Sequence, residues 1–303
     1  MVIQRLAVVG DPHGAWDDSD AVLLKLLQPD ALLLVGDLSD GHPRIPSLLR
    51  RLSLPTACIL GNHDTGRDPT GQTLRRQIEI LGELHCGWGL RQLRPPGVAV
   101  VGARPGTAGG GFILSPAMRA VFGPLTLEDS AARITAAAFA ADPALPLVLL
   151  AHCGPSGLGS DPGDPCGCDW KRPFCDWGDL DLALAIRQIR ARRPVPLVVF
   201  GHMHHALRRG QGERCSLVVD RQGTVYLNAA FVPRHGHDAA GRDLRHFSWV
   251  ELDCSAEQPG VALVRSVSHR WYGLDGALLY EERLLDRSLS AAPIAAPHPV
   301  VPC

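Results

Sequence analysis

Hydrophobic residues along this chain gather in short runs, separated by stretches with helical spacing. Residues 6–9, the apolar end of an expected strand over 3–9, and residues 31–35, 56–60, 147–151 and 197–200 are almost unbroken apolar runs. Runs that short and that continuous predict buried parallel strands, apolar on both faces. Between the first two, Leu23, Leu24 and Leu27 mark one face of a helix over 17–28. Asp17, Asp18 and Asp20 suit its positive end, and Pro29 closes it. Further helices are expected over 46–52, 71–81, 127–140 and 179–192. Strand and helix alternate with connections of a few residues. That grammar predicts an α/β core around a mostly parallel sheet.

Beyond residue 205 the pattern changes. Residues 216–219, 224–228, 247–252 and 261–267 are short alternating runs, and Arg221-Gln222-Gly223 is a turn signal between the first two. These predict antiparallel strands added to the same core. Residues 98–101 form one more candidate strand, leading through Arg104 to Gly109, Gly110 and Gly111. No strand-glycine-lysine pattern follows, so the three glycines read as a turn rather than a phosphate cradle. Residues 288–303 are rich in Ala and Pro and predict a disordered tail behind one domain over 1–287.

Composition narrows the class. The chain has 303 residues, 46% hydrophobic and 20% charged, which suits a soluble globular protein with a sizeable core. A net charge of -1 with no basic run argues against a nucleic-acid partner. No apolar stretch reaches membrane-spanning length. The first residues lack the pattern of a signal peptide. The expectation is a cytoplasmic protein whose nine cysteines are mostly thiols.

Chemistry sits just past the strands. Asp11 and His13 follow the first, Asp37 the second, and Asn62, His63 and Asp64 the third. His152 follows the fourth, and His202 and His204 the fifth. Open α/β sheets bind ligands at the carboxyl ends of their strands. Alternate residues of extended chain share a side, so Asp11 with His13, and His202 with His204, can each present two ligands. A single Asp or Asn after a strand is ordinarily a turn former or a helix cap. Here every segment has the same context and needs the same end of the sheet, which favours a metal site. Imidazole, carboxylate and amide-oxygen donors suit Mn, Fe or Zn. Seven of these nine groups already exceed the needs of one tetrahedral ion and are right for two ions sharing Asp37.

Taken together, Asp11-Pro12-His13, Gly36-Asp37, Gly61-Asn62-His63-Asp64, the lone His152 and Gly201-His202-Met203-His204 resemble the five signature blocks of the calcineurin-like metallophosphoesterases. They stand in the family's order and span residues 11–204. The resemblance implies a four-layer α-β-β-α sandwich of two mixed sheets. It implies two divalent or trivalent ions, one held by Asp11, His13 and His204, the other by Asn62, His152 and His202, with Asp37 between. It implies hydrolysis of a phosphomonoester or phosphodiester by a hydroxide bridging the ions, with His63 as general acid and Asp64 orienting its imidazole. Two other readings stay open: a non-catalytic protein-binding scaffold on the same fold, and a nuclease of the same superfamily. The chain departs from the phosphoprotein phosphatases, which carry an Arg after the second Asp of the second block. Gly41 follows Asp40 here, and the third block ends in Asp64 rather than Glu. Both departures weaken the case for a phosphoprotein substrate.

The loop over 153–178 is expected to overhang the site. Trp170 is a candidate contact for an apolar leaving group, and Lys171 or Arg172 for phosphate. Arg104 and Arg234 follow expected strands and are further substrate-binding candidates. Cys166, Cys168 and Cys175 do not have the spacing of a zinc site and read as free thiols. Cys58 lies in an apolar strand and reads as core. His205, His235 and His237 read as surface or supporting residues rather than ligands.

Overall fold

A computed structural model describes residues 2–287, apart from 96, 209–211 and 256–257. The apolar runs become strands. In chain order the elements are β1 (Ile3–Val9), α1 (Asp18–Leu27), β2 (Ala31–Leu34), α2 (Arg44–Leu49), β3 (Thr56–Cys58) and α3 (Gln72–Leu81). Then come β4 (Leu90–Leu93), β5 (Val98–Gly102), α4 (Pro116–Phe122), α5 (Leu127–Ala140), β6 (Leu147–Cys153), α6 (Leu180–Arg190) and β7 (Leu197–Gly201). The chain continues through β8 (Leu217–Val219), β9 (Val225–Asn228), β10 (His235–His237), β11 (Asp243–Asp253), β12 (Leu263–Gly273) and β13 (Leu278–Asp286).

These strands build two mixed sheets rather than one. The first has the order β13-β12-β11-β1-β2-β3, with β10 on β11. The second has the order β4-β5-β6-β7-β9-β8. β1, β2 and β3 are parallel, as are β5, β6, β7 and β9. The late strands do extend the early core: β11 pairs antiparallel with β1, and β9 pairs parallel with β7.

Side-chain alternation sets the layers. Leu6 and Val8 of β1, with Leu33 of β2, pack into a core shared with Val98, Val100, Leu147 and Leu149 of the second sheet. Ala7 and Val9, with Leu32 and Leu34, face the other way onto Leu23 of α1, Leu49 of α2 and Leu74 of α3. Ala131 and Ile134 of α5 and Leu182 and Ile186 of α6 cover the second sheet. Helices, sheet, sheet and helices thus stack in four layers. Strands β2, β5, β6 and β7 are apolar on both faces because each of their faces is covered.

Element ends obey local chemistry. Asp17 caps α1: its carboxylate accepts from Ser19 N–H, and Asp20 accepts from the Asp17 N–H, closing a capping box. Thr126 and Asp129 do the same for α5. Helix α2 starts at Arg44, earlier than its pattern predicts, because Pro46 is tolerated in a first turn where N–H groups lack partners anyway. The edge strands β4 and β13, the short β10 and helix α4 were not legible in the pattern. An edge strand is half wetted and carries polar residues, as Arg91 and Gln92 show in β4. No described helix is long and apolar enough to cross a membrane. The expected tail over 288–303 lies outside the described residues.

Candidate metal centre

The parallel strands of both sheets deliver their carboxyl ends to one place. Asp11 and His13 leave β1, Asp37 leaves β2, Asn62 and His63 leave β3, His152 sits near the end of β6, and His202 and His204 leave β7. Among the described residues three groups have ligand atoms within 4.8 Å of one another: two clusters, Asp11, His13 and His204, and Asp37, His152 and His202, and a third group of His13, Asp40 and His63 at the more exposed side. Asn62 joins the second cluster, its Oδ1 lying 2.9 Å from His152 Nε2. Asp37 Oδ2 lies 3.4 Å from His152 Nε2 and 3.8 Å from His13 Nε2, so it stands between the clusters.

This convergence requires unusual backbone. Asp11, His13, Asp37, Asp40 and His202 all adopt positive φ, from 35° to 68°, which L-residues rarely do. Strain concentrated in this way is typical of sites that over-determine their geometry. Two glycines make the close approaches possible. A Cβ on Gly61 would lie 2.2 Å from Asp37 Oδ1, and one on Gly201 would lie 2.4 Å from Asp11 Oδ1. His152 is oriented from behind: its Nδ1 is 2.8 Å from the Val35 carbonyl, which makes that nitrogen the donor and turns the Nε2 lone pair to the site.

Electrostatics identify what fits there. Asp11, Asp37 and Asp64 are all buried. Burial pushes the Asp11 carboxyl up to about 8, with the nearby Asp37 charge adding to it against the pull of His152. Burial also brings His202 down to about 3 and His204 down to about 4, helped by His152 and His13 respectively, so both imidazoles are neutral. His152 goes the other way: burial opposes its charge, but Asp37 and Asp11 raise it to about 10, so a cation taken up at Nε2 would displace that nitrogen's proton. Asp11 Oδ1 is buried with no hydrogen-bond partner. Carboxylates out of water, an orphaned carboxylate oxygen and neutral imidazoles form a donor set that fits divalent cations.

Asp64 corrects an expectation. It does not touch the His63 ring. Its Oδ1 accepts from the N–H groups of Leu38 at 2.9 Å and Ser39 at 3.3 Å, and its Oδ2 from that of Gly61 at 2.9 Å. It holds the second and third signature loops together. Asp40 takes the expected place, its Oδ1 lying 3.2 Å from His63 Nδ1 and 3.3 Å from His13 Nδ1. Asp40 lies three residues after Asp37, and that spacing was the missed signal.

A cavity of about 270 Å³ opens above the clusters. Asn62, His63, His202 and His204 line its base, and Trp170, Trp177 and Arg208 its rim. Trp170 is therefore where it was expected. Three other candidates are not on the wall. Arg104 is buried, donating to Asp179 and Asp181, and Arg234 is buried, donating to Asp20 and the Ala15 carbonyl. Arg172 is exposed and lies over the Phe174 ring. Arg208 was missed although it is the first cation after the last block. Among the described residues, no candidate metal group includes a cysteine, His205, His235 or His237. A larger cavity, about 510 Å³, lies beside Arg5, Lys25 and Asp30 at the amino ends of β1 and β2, away from both clusters.

A family profile described as calcineurin-like phosphoesterase matches residues 4–206. The chain belongs to that family. Solved structures of low identity are similar to this chain. A protein of Thermus thermophilus is 17% identical with a TM-score of 0.50, over 90% of this chain and 99% of that one. The phosphopantetheinyl hydrolase of Mycobacterium tuberculosis is 18% identical with a TM-score of 0.48, over 77% of this chain and 91% of that one. At 17% identity the Thermus likeness bears on fold alone. No curated protein matches the sequence.

Proposed function

We propose that this calcineurin-like phosphoesterase hydrolyses a phosphomonoester or phosphodiester at a two-metal centre. The observation that carries the reading is the pair of donor clusters with Asp37 between them and His63 at the rim. Asp11, His13 and His204 would hold one ion; Asn62, His152 and His202 the other; Asp37 would serve both. Mn, Fe and Zn all suit this donor set. When bound, such ions acidify water and neutralise phosphate charge. The chain's own residues do the rest. The cavity over the clusters seats the phosphoester, with Trp170 and Trp177 against its organic portion. His63, half exposed and anchored through Nδ1 on Asp40, directs its other nitrogen outward to protonate the departing oxygen.

Support for an enzyme over a scaffold comes from the His63–Asp40 pair, which a protein-binding role does not need. A nuclease is disfavoured by the net charge of -1. We also propose that residues 1–287 act as one domain. The family match stops at 206, yet β9 and β11 complete the two sheets. The test is hydrolysis of nitrophenyl phosphate with added Mn, alongside mono-, di- and cyclic phosphates and metal analysis of the protein. Two bound metals with turnover support the reading; a metal-loaded protein inert on the whole panel overturns it.

A further inference from the structure

The long loop between β6 and α6 carries three cysteines that the proposed chemistry leaves unused: Cys166, Cys168 and Cys175. Part of that loop is a narrow two-stranded ribbon. Gly167 and Asp176 are antiparallel bridge partners. On one side of them the Cys168 N–H donates to the Cys175 carbonyl at 2.9 Å; on the other, the Trp177 N–H donates to the Cys166 carbonyl at 2.8 Å. This register sets Cys168 directly opposite Cys175, with both side chains on one face of the ribbon. Residues so paired have Cα atoms about 5.5 Å apart, inside the range of about 4.4–6.8 Å that a disulfide spans. Cys166 faces Trp177 and has no thiol across from it.

The position of this pair gives it consequence. The turn between the two cysteines carries Trp170, which lines the cavity over the metal clusters. Trp170 meets Trp177 edge to face at 5.1 Å, and Trp177 is fixed by its indole N–H to the Ala108 carbonyl at 2.8 Å. Asp169, beside Cys168, accepts from the buried Arg214, which also donates to the His204 carbonyl at 3.2 Å. The ribbon is thus tied at its Cys168 end to a segment holding a candidate ligand. Cys168 is fully buried and Cys175 is half-buried, so only one of the two thiols is open to an external reagent.

We infer that Cys168 and Cys175 form a reversible dithiol–disulfide pair that clamps the rim of the cavity. The oxidant is a small disulfide of the glutathione class. The Cys175 thiolate attacks one of its sulfurs, forming a mixed disulfide and releasing one glutathione thiol. The Cys168 thiolate then attacks Cys175 Sγ, forming the internal disulfide and expelling the second glutathione thiol. Two protein thiols are oxidised, one external disulfide is reduced, and both protons leave with the glutathione products.

The experiment equilibrates the full chain in buffers of graded reduced and oxidised glutathione, traps free thiols by alkylation and maps the peptides by mass. The expected wild-type product is a Cys168–Cys175 crosslink without retained glutathione. Cys168→Ser should hold a stable glutathione adduct on Cys175, because the resolving thiol is gone. Cys175→Ser should gain none at Cys168, because that thiol is buried. A wild-type chain with no crosslink at any ratio, or one joining other cysteines, overturns the inference. So does equal adduct formation in the two variants. The effect on the cavity rests on the phosphoesterase reading and is measured separately. Clamping a rim already in place should lower the KM of the Mn-loaded protein for nitrophenyl phosphate about two- to three-fold with kcat unchanged. An unchanged or raised KM overturns the clamp but leaves the thiol chemistry standing. Absence of turnover in both redox forms counts against the phosphoesterase reading instead.

Discussion

Asp37, His63, Asp40 and Asp64 are four polar residues within one small volume, and their geometry gives each a different expected phenotype. Asp37 stands between two donor clusters. Removing its charge in Asp37→Ala leaves two cations to repel across a short gap, so bound metal and turnover should fall together. Metal analysis beside an activity assay checks this; a variant with two metals and near-normal turnover would sink the two-metal reading. His63→Ala should keep its metals and lose about 10²–10⁴-fold in rate on alkyl esters, with a smaller loss on nitrophenyl esters, whose leaving group departs unprotonated. Asp40→Asn should show the same dependence on leaving group at about 10–100-fold, the usual range for a residue that orients a histidine. Asp64→Asn should behave otherwise. It unsettles backbone donors of two loops, costing about 1–3 kcal/mol of stability with no dependence on leaving group. Denaturation curves and a leaving-group series on the three variants separate these outcomes.

Elements are tied to one another by buried ion pairs that sequence reasoning placed at the substrate. Arg104, just past β5, donates to Asp179 and Asp181 at the start of α6. Arg234, just before β10, donates to Asp20 in the first turn of α1. Arg104 follows β5 and Arg234 lies between β9 and β10, and position alone does not say whether a guanidinium points to solvent or into the layer behind. Arg104→Leu should therefore lower the melting temperature without a selective change in KM. The Asp20 pair also makes an acid-stability prediction. Burial raises the Asp20 carboxyl, but the Arg234 charge and hydrogen bonds from His235, Arg234 and the Asp17 N–H bring it down to about 2. Its folded value lies below its unfolded one. The stability it contributes, about 2 kcal/mol, is full above pH about 4 and is lost as pH falls through about 2. Asp20→Asn should flatten that part of the pH profile. It should also cost about 3–5 kcal/mol at neutral pH, because Arg234 is left buried without its anion. Urea titrations of metal-free protein at several pH values measure both.

For the whole molecule, ions bound at the donor clusters would add to the stability of the apolar seam between the sheets without supplying it. The two buried cores are built from strand and helix residues and need no ion. Chelation should leave the far-ultraviolet dichroism of the sheets intact. It should lower the melting temperature only by the binding free energy, about 2.7 kcal/mol for an ion present at about 100 times its Kd. Loss of the fold on chelation would show that the clusters, not the seam, hold the sheets together.

Sequence alone determined which segments are buried and which residues meet at the strand ends. An unbroken apolar run such as 31–35 has few alternatives to a covered strand, and a parallel strand puts its following residue at the carboxyl edge. That is why Asp11, Asp37, Asn62, His152, His202 and His204 were found from the sequence. The division into two sheets came from the family resemblance. The pattern of runs is silent on it, because a strand covered by a helix and one covered by another sheet are equally apolar. Tertiary structure alone decided the contacts set by side-chain direction and backbone conformation. It gave His63 to Asp40 rather than Asp64, buried Arg104 and Arg234 in ion pairs, and brought Arg208 and Trp177 to the cavity rim. The reason is physical: Asp37 and Asp40 both turn through positive φ. Steric preference disfavours that conformation for any L-residue, and only the packing around it makes it stable.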